Sequence, residues 1–137
     1  GRPDHVLVNE YRPGEGIMPH TDGPAYGGRT ATVSLGGGDA IVKFSPRLES
    51  DELARTRVGR TETDLEVLLS GNGSLLVFSD DAYTNYLHSI DEVMEEVTSG
   101  KCGNAPAGIR VRRGYRASLT FRKRTQMQKP AALKDIM

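Results

Sequence analysis

Short β-prone runs, closed off at brief intervals by glycine or proline, leave this chain few folds to adopt. Its 16 glycines and seven prolines, among 137 residues, stand mostly between stretches rich in β-branched and aromatic residues, as the punctuation of an all-β fold does. The runs are His5–Tyr11, Thr30–Leu35, Ala40–Phe44, Asp64–Leu69, Ser74–Phe78, Tyr83–Ile90, Ile109–Arg112 and Arg116–Arg122. Between them, Gly36-Gly37-Gly38-Asp39 and Gly71-Asn72-Gly73 supply turn residues, and the second reads as a β-hairpin. No long segment carries helical periodicity; Ile90, Val93, Met94 and Val97 fit either one helical turn or a strand running into a loop. Seven or eight short strands in so small a chain predict a sandwich or jelly roll.

Composition narrows the function classes. Eighteen basic and eighteen acidic side chains cancel, so net charge by itself recruits neither nucleic acid nor membrane. A single cysteine, Cys102, makes no internal disulfide and fits a reducing compartment. No apolar run reaches the length of a membrane span. The expected organisation is one core domain over residues 1–124 with a basic tail over 125–137. Pro46–Glu62, with eight charged residues among seventeen, reads as a solvated excursion, and Ser99–Gly108 as a small-residue linker. Charge is uneven along the chain: Arg110 to Lys134 holds nine basic residues and no acid, whereas Asp80 to Glu96 holds six acids and no Lys or Arg. The basic stretch is either a protected edge strand or a phosphate-facing surface.

Three places carry chemistry. In Pro19-His20-Thr21-Asp22-Gly23, residues two apart in extended backbone project to one side, so the His20 imidazole and Asp22 carboxylate can reach a common point. His88, within Tyr86-Leu87-His88-Ser89-Ile90, offers a second imidazole. Two histidines and one carboxylate form the facial triad of non-haem Fe(II) enzymes, which leaves metal positions open for other ligands. A closed zinc site wants a fourth ligand, and the lone cysteine lies in a glycine-rich loop. In Arg116-Ala117-Ser118-Leu119-Thr120-Phe121-Arg122 the polar residues share one face and the apolar ones the other. If Ala117, Leu119 and Phe121 pack against protein, the arginine face needs a partner, either solvent or a small dicarboxylate gripped at both ends. Leu7, Asn9 and Tyr11 likewise share a face that offers an amide and a phenol. Tyr26, Tyr83 and Tyr86 are either packing aromatics or platforms for a base.

Taken in order, Asn9-x-Tyr11, His20-x-Asp22, His88 and Arg116-x-Ser118-x-x-x-Arg122 resemble the AlkB family of Fe(II)/2-oxoglutarate-dependent dioxygenases. The stretch VLVNEYRPGEGIMPHTDGP, with AYTNYLH and RASLTFR later, is most similar to the eukaryotic subgroup of sixth AlkB homologues, and the resemblance runs over nearly the whole chain. It implies a double-stranded β-helix (jelly-roll) core, with Fe(II) on His20, Asp22 and His88, and 2-oxoglutarate held by Asn9, Tyr11, Arg116, Ser118 and Arg122. It implies O2-dependent oxidative demethylation of alkylated nucleic acid, releasing succinate, CO2 and formaldehyde, by a monomer of nucleus and cytoplasm with no membrane partner. A nucleic-acid-binding module without turnover, using the basic stretch, and a protein hydroxylase on the same core are the competing readings. Bacterial members carry asparagine where Ser118 stands. Family members also have a longer N-terminal region, including a lid over the nucleobase. Only nineteen residues precede His20, so the chain reads as N-terminally truncated.

Overall fold

The computed structural model describes residues 2–47 and 63–125. Among these residues ten strands and one short helix follow one another: β1 (His5–Tyr11), β2 (Ile17–His20), β3 (Tyr26–Leu35), β4 (Ala40–Pro46), β5 (Leu65–Leu69), β6 (Ser74–Ser79), α1 (Asp80–Thr84), β7 (Tyr86–Ile90), β8 (Glu95–Val97), β9 (Arg110–Arg112) and β10 (Arg116–Arg124). One four-stranded sheet has the order β1-β10-β3-β6, a second has β2-β7-β4-β5, and β8 pairs with β9 alone. Every named pair is antiparallel. This is the all-β jelly-roll core expected from the sequence. Of the excursion Pro46–Glu62, residues 48–62 lie outside the described residues, and so do residues 126–137 of the tail 125–137; Pro46 ends β4.

The hydrophobic core sits on the inner face of the second sheet. Ala40, Val42 and Phe44 alternate inward along β4 and meet Leu69 and Ile90, with Ile17, Leu76 and Phe78 packed against them. Burying each larger side chain of this set contributes roughly 1.5–3 kcal/mol. Ile41, on the opposite face of β4, is also fully buried. The segment around β8 lies against it: the Ile41 backbone N–H donates to Glu96 Oε2 at 3.1 Å, and Arg113 pairs with the same oxygen at 3.1 Å. Burial pushes the Glu96 carboxyl up, against the pull of the Ile41 N–H and the Arg113 guanidinium.

Two sequence expectations change. Gly71-Asn72-Gly73 does not close a hairpin, because β5 and β6 belong to different sheets. Gly73 adopts φ of 96°, which a turn of either kind exploits, and the chain passes from one sheet to the other. Tyr83 is not in a strand but in α1. Ser79 is extended at its N-cap, and Asp80 has a φ of 54°, a region Asp tolerates better than most residues. Of the two readings for Ile90 to Val97, the strand running into a loop holds: Ile90 ends β7, a short loop follows, and Val97 lies in β8. Ser99–Gly108 joins β8 to β9 as the expected small-residue linker, and within it Asn104 receives the Leu68 N–H and donates to the Leu68 carbonyl, both at 2.8 Å, so the linker lies along the β5 edge.

The alternation read on β10 holds, but its burial is inverted. Arg116, Ser118 and Thr120 are buried. The apolar face, by contrast, continues into side chains that stand in the open: Val6 pairs with Phe121 and Val8 with Leu119, and both valines are exposed. Across β3, the same rows end at exposed Val77 and Leu75 on β6. The polar face is enclosed because it lines a cleft between the sheets.

Candidate active site

Cross-strand pairing builds the floor of the cleft. β2 runs beside β7 with His20 opposite His88, and the two rings stand 4.2 Å apart, centre to centre. Strand β2 was not foreseen, because Pro19 and a run of only four residues obscure it. Asp22 follows in the loop after β2, and its Oδ1 lies 3.9 Å from His20 Nε2 and 3.7 Å from His88 Nε2. One ligand atom from each of the three residues falls within 4.8 Å of the others, so the triad can hold a metal ion.

The protonation states suit that use. His20 Nδ1 lies 2.8 Å from the Met18 carbonyl, which only accepts, so Nδ1 is the donor there and Nε2 is the ring nitrogen turned toward Asp22. Burial, helped by the neighbouring His20 and Arg122 and opposed by Asp22, lowers the His88 imidazole to about 4. At neutral pH that ring is uncharged. Phe78 stands 5.1 Å from it, ring to ring, and forms part of the apolar wall.

The other wall comes from β1 and β10. Their register sets Asn9 beside Ser118, Tyr11 beside Arg116 and His5 beside Arg122. All eight residues that the resemblance assigns to iron and 2-oxoglutarate, Asn9, Tyr11, His20, Asp22, His88, Arg116, Ser118 and Arg122, line this one cleft. The Arg116 guanidinium lies 5.0 Å from the centre of the Tyr11 ring and donates to Ser34 Oγ at 3.2 Å. Arg122 lies over Tyr26 at 4.6 Å, with its Nε 3.4 Å from Asp22 Oδ2.

The basic stretch divides unequally among acids. Arg110 and Arg112 pair with Glu95, Arg113 with Glu96, Arg122 with Asp22, and Lys123 and Arg124 with Asp4. Among the described residues, Arg116 is the member of this stretch without a carboxylate partner, yet it is only 4% exposed. Burial lowers its pKa, but arginine starts so far above neutrality that it stays charged at neutral pH. A buried, unpaired cation is costly unless an anion joins it. The donor set therefore fits a carboxylate ligand beside a metal ion.

Sequence reasoning missed Thr30, Ser34 and Phe78. Thr30 is buried and its hydroxyl donates to Asp22 Oδ2 at 2.8 Å. The signal was present: Thr30, Thr32 and Ser34 alternate with Ala31, Val33 and Leu35, the same inverted pattern that marks β10. Of the three tyrosines, Tyr83 is buried and its hydroxyl donates to the Gly23 carbonyl at 2.9 Å, so it offers no stacking face. Tyr86 donates to Asp64 at 3.1 Å, and Tyr26 lies against Arg122.

A β-sandwich with two facing histidines, an adjoining aspartate and a buried arginine in one cleft has the make-up of a 2-oxoglutarate-dependent oxygenase. The sequence profile of the 2OG-Fe(II) oxygenase superfamily matches residues 1–122, and the chain belongs to that superfamily. The superfamily's cofactors are Fe(II), 2-oxoglutarate and O2. A protein of Danio rerio named "Probable RNA/DNA demethylase ALKBH6" is 39% identical over 125 residues, which cover 87% of this chain and 52% of that protein. The "Uncharacterized protein L905" of Acanthamoeba polyphaga mimivirus is 30% identical over 122 residues, covering 88% of this chain and 48% of its own length. The AlkB resemblance read from the motifs agrees with these matches. The chain spans about half the length of these curated relatives.

Proposed function

We propose that the protein is an AlkB-type Fe(II)- and 2-oxoglutarate-dependent dioxygenase that demethylates alkylated nucleic acid, RNA or DNA. One observation carries the reading: the His20–Asp22–His88 cluster shares its cleft with Arg116, the buried cation that has no acid of its own among the described residues. His20, Asp22 and His88 would hold the iron, with the neutral His88 ring as one of the two imidazole ligands. Arg116 neutralises a carboxylate of 2-oxoglutarate, with Tyr11, Asn9 and Ser118 as hydrogen-bonding neighbours on the same wall. Arg122 faces both the cleft and Asp22, and so keeps positive charge at the boundary between cosubstrate and metal. Iron, when bound, couples oxidative decarboxylation of 2-oxoglutarate by O2 to oxidation of the substrate methyl group. The products are succinate, CO2 and, from the hydroxylated methyl, formaldehyde.

Nucleic acid as substrate is supported by the printed name of the zebrafish relative and by the AlkB motifs. The same resemblance supports a monomer acting in nucleus and cytoplasm. Among the described residues no helix is long and apolar enough to cross a membrane. The test is succinate release by the full-length protein given Fe(II), 2-oxoglutarate and a panel of methylated oligonucleotides. Wild type is expected to form succinate above an iron-only blank and His20→Ala to fall to that blank. Equal yields from the two proteins refute the assignment, and turnover without formaldehyde from any oligonucleotide refutes demethylation.

A further inference from the structure

The two oxygens of Asp22 face different neighbours. Oδ1 is directed at the two imidazoles, 3.9 and 3.7 Å away. Oδ2 accepts the 2.8 Å hydrogen bond from the Thr30 hydroxyl and has Arg122 Nε 3.4 Å away. Of these two, only the threonine contact is a hydrogen bond, because Arg122 Nε is buried without hydrogen-bond geometry to any partner. The Asp22 side chain is 3% exposed and Thr30 2%, which leaves little room for water to take over the donor's place. Thr30 stands between Arg122 on β10 and Phe78 on β6, and its branched Cβ restricts rotation, so its hydroxyl is held in one direction.

We infer that Thr30 is a positioning residue that fixes Asp22 as a one-oxygen metal ligand, with Oδ1 given to the metal and Oδ2 withheld. The inference rests on the reading of His20, Asp22 and His88 as metal ligands. Its chemical consequence is a triad that supplies three protein atoms and leaves the remaining positions to cosubstrate and oxygen. Without the hydroxyl, Asp22 turns about its Cβ–Cγ bond and presents Oδ1 to the imidazoles only part of the time.

Cobalt(II) is the probe, because its visible absorption reports coordination and its affinity is measurable without turnover. In the full-length protein, Thr30→Val is expected to weaken Co(II) binding by roughly 10–100-fold and to change the absorption band, the usual effect of removing a partner that orients a ligand. Thr30→Ser keeps the donor and drops the methyl, so it should bind with wild-type strength and spectrum. A Thr30→Val protein with wild-type affinity and band overturns the inference. So does a Thr30→Ser protein as weak as Thr30→Val, which would trace the effect to packing. If Thr30→Val loses its β-sheet circular dichroism, the serine variant decides alone: a loss of Co(II) affinity there overturns the assignment. Absence of Co(II) binding by wild type refutes the metal-site reading itself, whereas an unaffected Thr30→Val beside a binding wild type refutes only the role of Thr30.

Discussion

His88 and Arg116 line one cleft, and burial acts on both in the same direction, against charge. The outcomes differ because they start far apart. A histidine lowered to about 4 becomes a neutral ligand, whereas an arginine, starting far above neutrality, is lowered and still remains a cation. The histidine shift makes stability depend on pH with a definite sign. Between about 4 and 6.5 the unfolded chain takes up a proton at His88 that the folded chain refuses. Unfolding free energy of the metal-free protein should therefore fall as pH drops through that window and level off below it, by a contribution on the order of 3 kcal/mol. Urea unfolding at pH 7 and pH 4.5, with wild type beside His88→Leu, isolates this contribution. The variant should lose less stability on acidification, and equal losses would contradict the assigned shift. That burial has no signature in the sequence: a histidine in a mixed strand looks the same whether it faces a core or a cleft.

At the scale of elements, two glycine-rich crossovers hold the sheets in register. The Gly37 N–H donates to the Gly71 carbonyl at 2.9 Å, Gly73 N–H to Ser34 at 2.8 Å, and Gly71 N–H to Asp39 Oδ1 at 2.9 Å. A Cβ on Gly71 would lie 2.2 Å from the Gly38 carbonyl oxygen, a backbone atom with no side chain to swing aside. Gly71→Ala is thus expected to destabilise the fold by about 1–3 kcal/mol or more, read as a lower urea midpoint. A midpoint equal to wild type would mean that the crossovers do not touch in solution. The hairpin reading of Gly71-Asn72-Gly73 failed for a local reason: turn chemistry specifies a reversal, not whether the two strands then bond to each other or part. Strand β2 escaped notice because its identity lies in pairing with β7, some seventy residues away along the sequence.

For the whole molecule, the first sheet is inside out. Its inward side carries arginine, serine and threonine around the cleft, while two rows, Val6–Phe121–Ala31–Val77 and Val8–Leu119–Val33–Leu75, cross all four strands on the outer side. Leu75 is 63% and Val8 58% exposed, so the apolar surface is contiguous and open to small probes. The 137-residue chain should enhance the fluorescence of an apolar dye such as anilinonaphthalene sulfonate at neutral pH. Val8→Thr with Leu75→Thr, which keep the strand preference, should reduce that signal without changing circular dichroism. Dye binding equal in both proteins would place the probe elsewhere.

Sequence alone determined the local decisions. Alternation placed Arg116, Ser118 and Arg122 on one side of a strand, spacing put His20 and Asp22 within reach of one point, and the ordered motifs pointed to AlkB enzymes. Local rules suffice there because side-chain direction along an extended backbone depends only on parity. Tertiary structure decided everything that depends on distance through space: that His20 stands opposite His88, that the polar face of β10 is the buried one, and that Thr30 reaches the aspartate. Those facts follow from how two sheets meet. A strand's pattern states that it has two unlike faces, but only the opposing sheet settles which of them is enclosed.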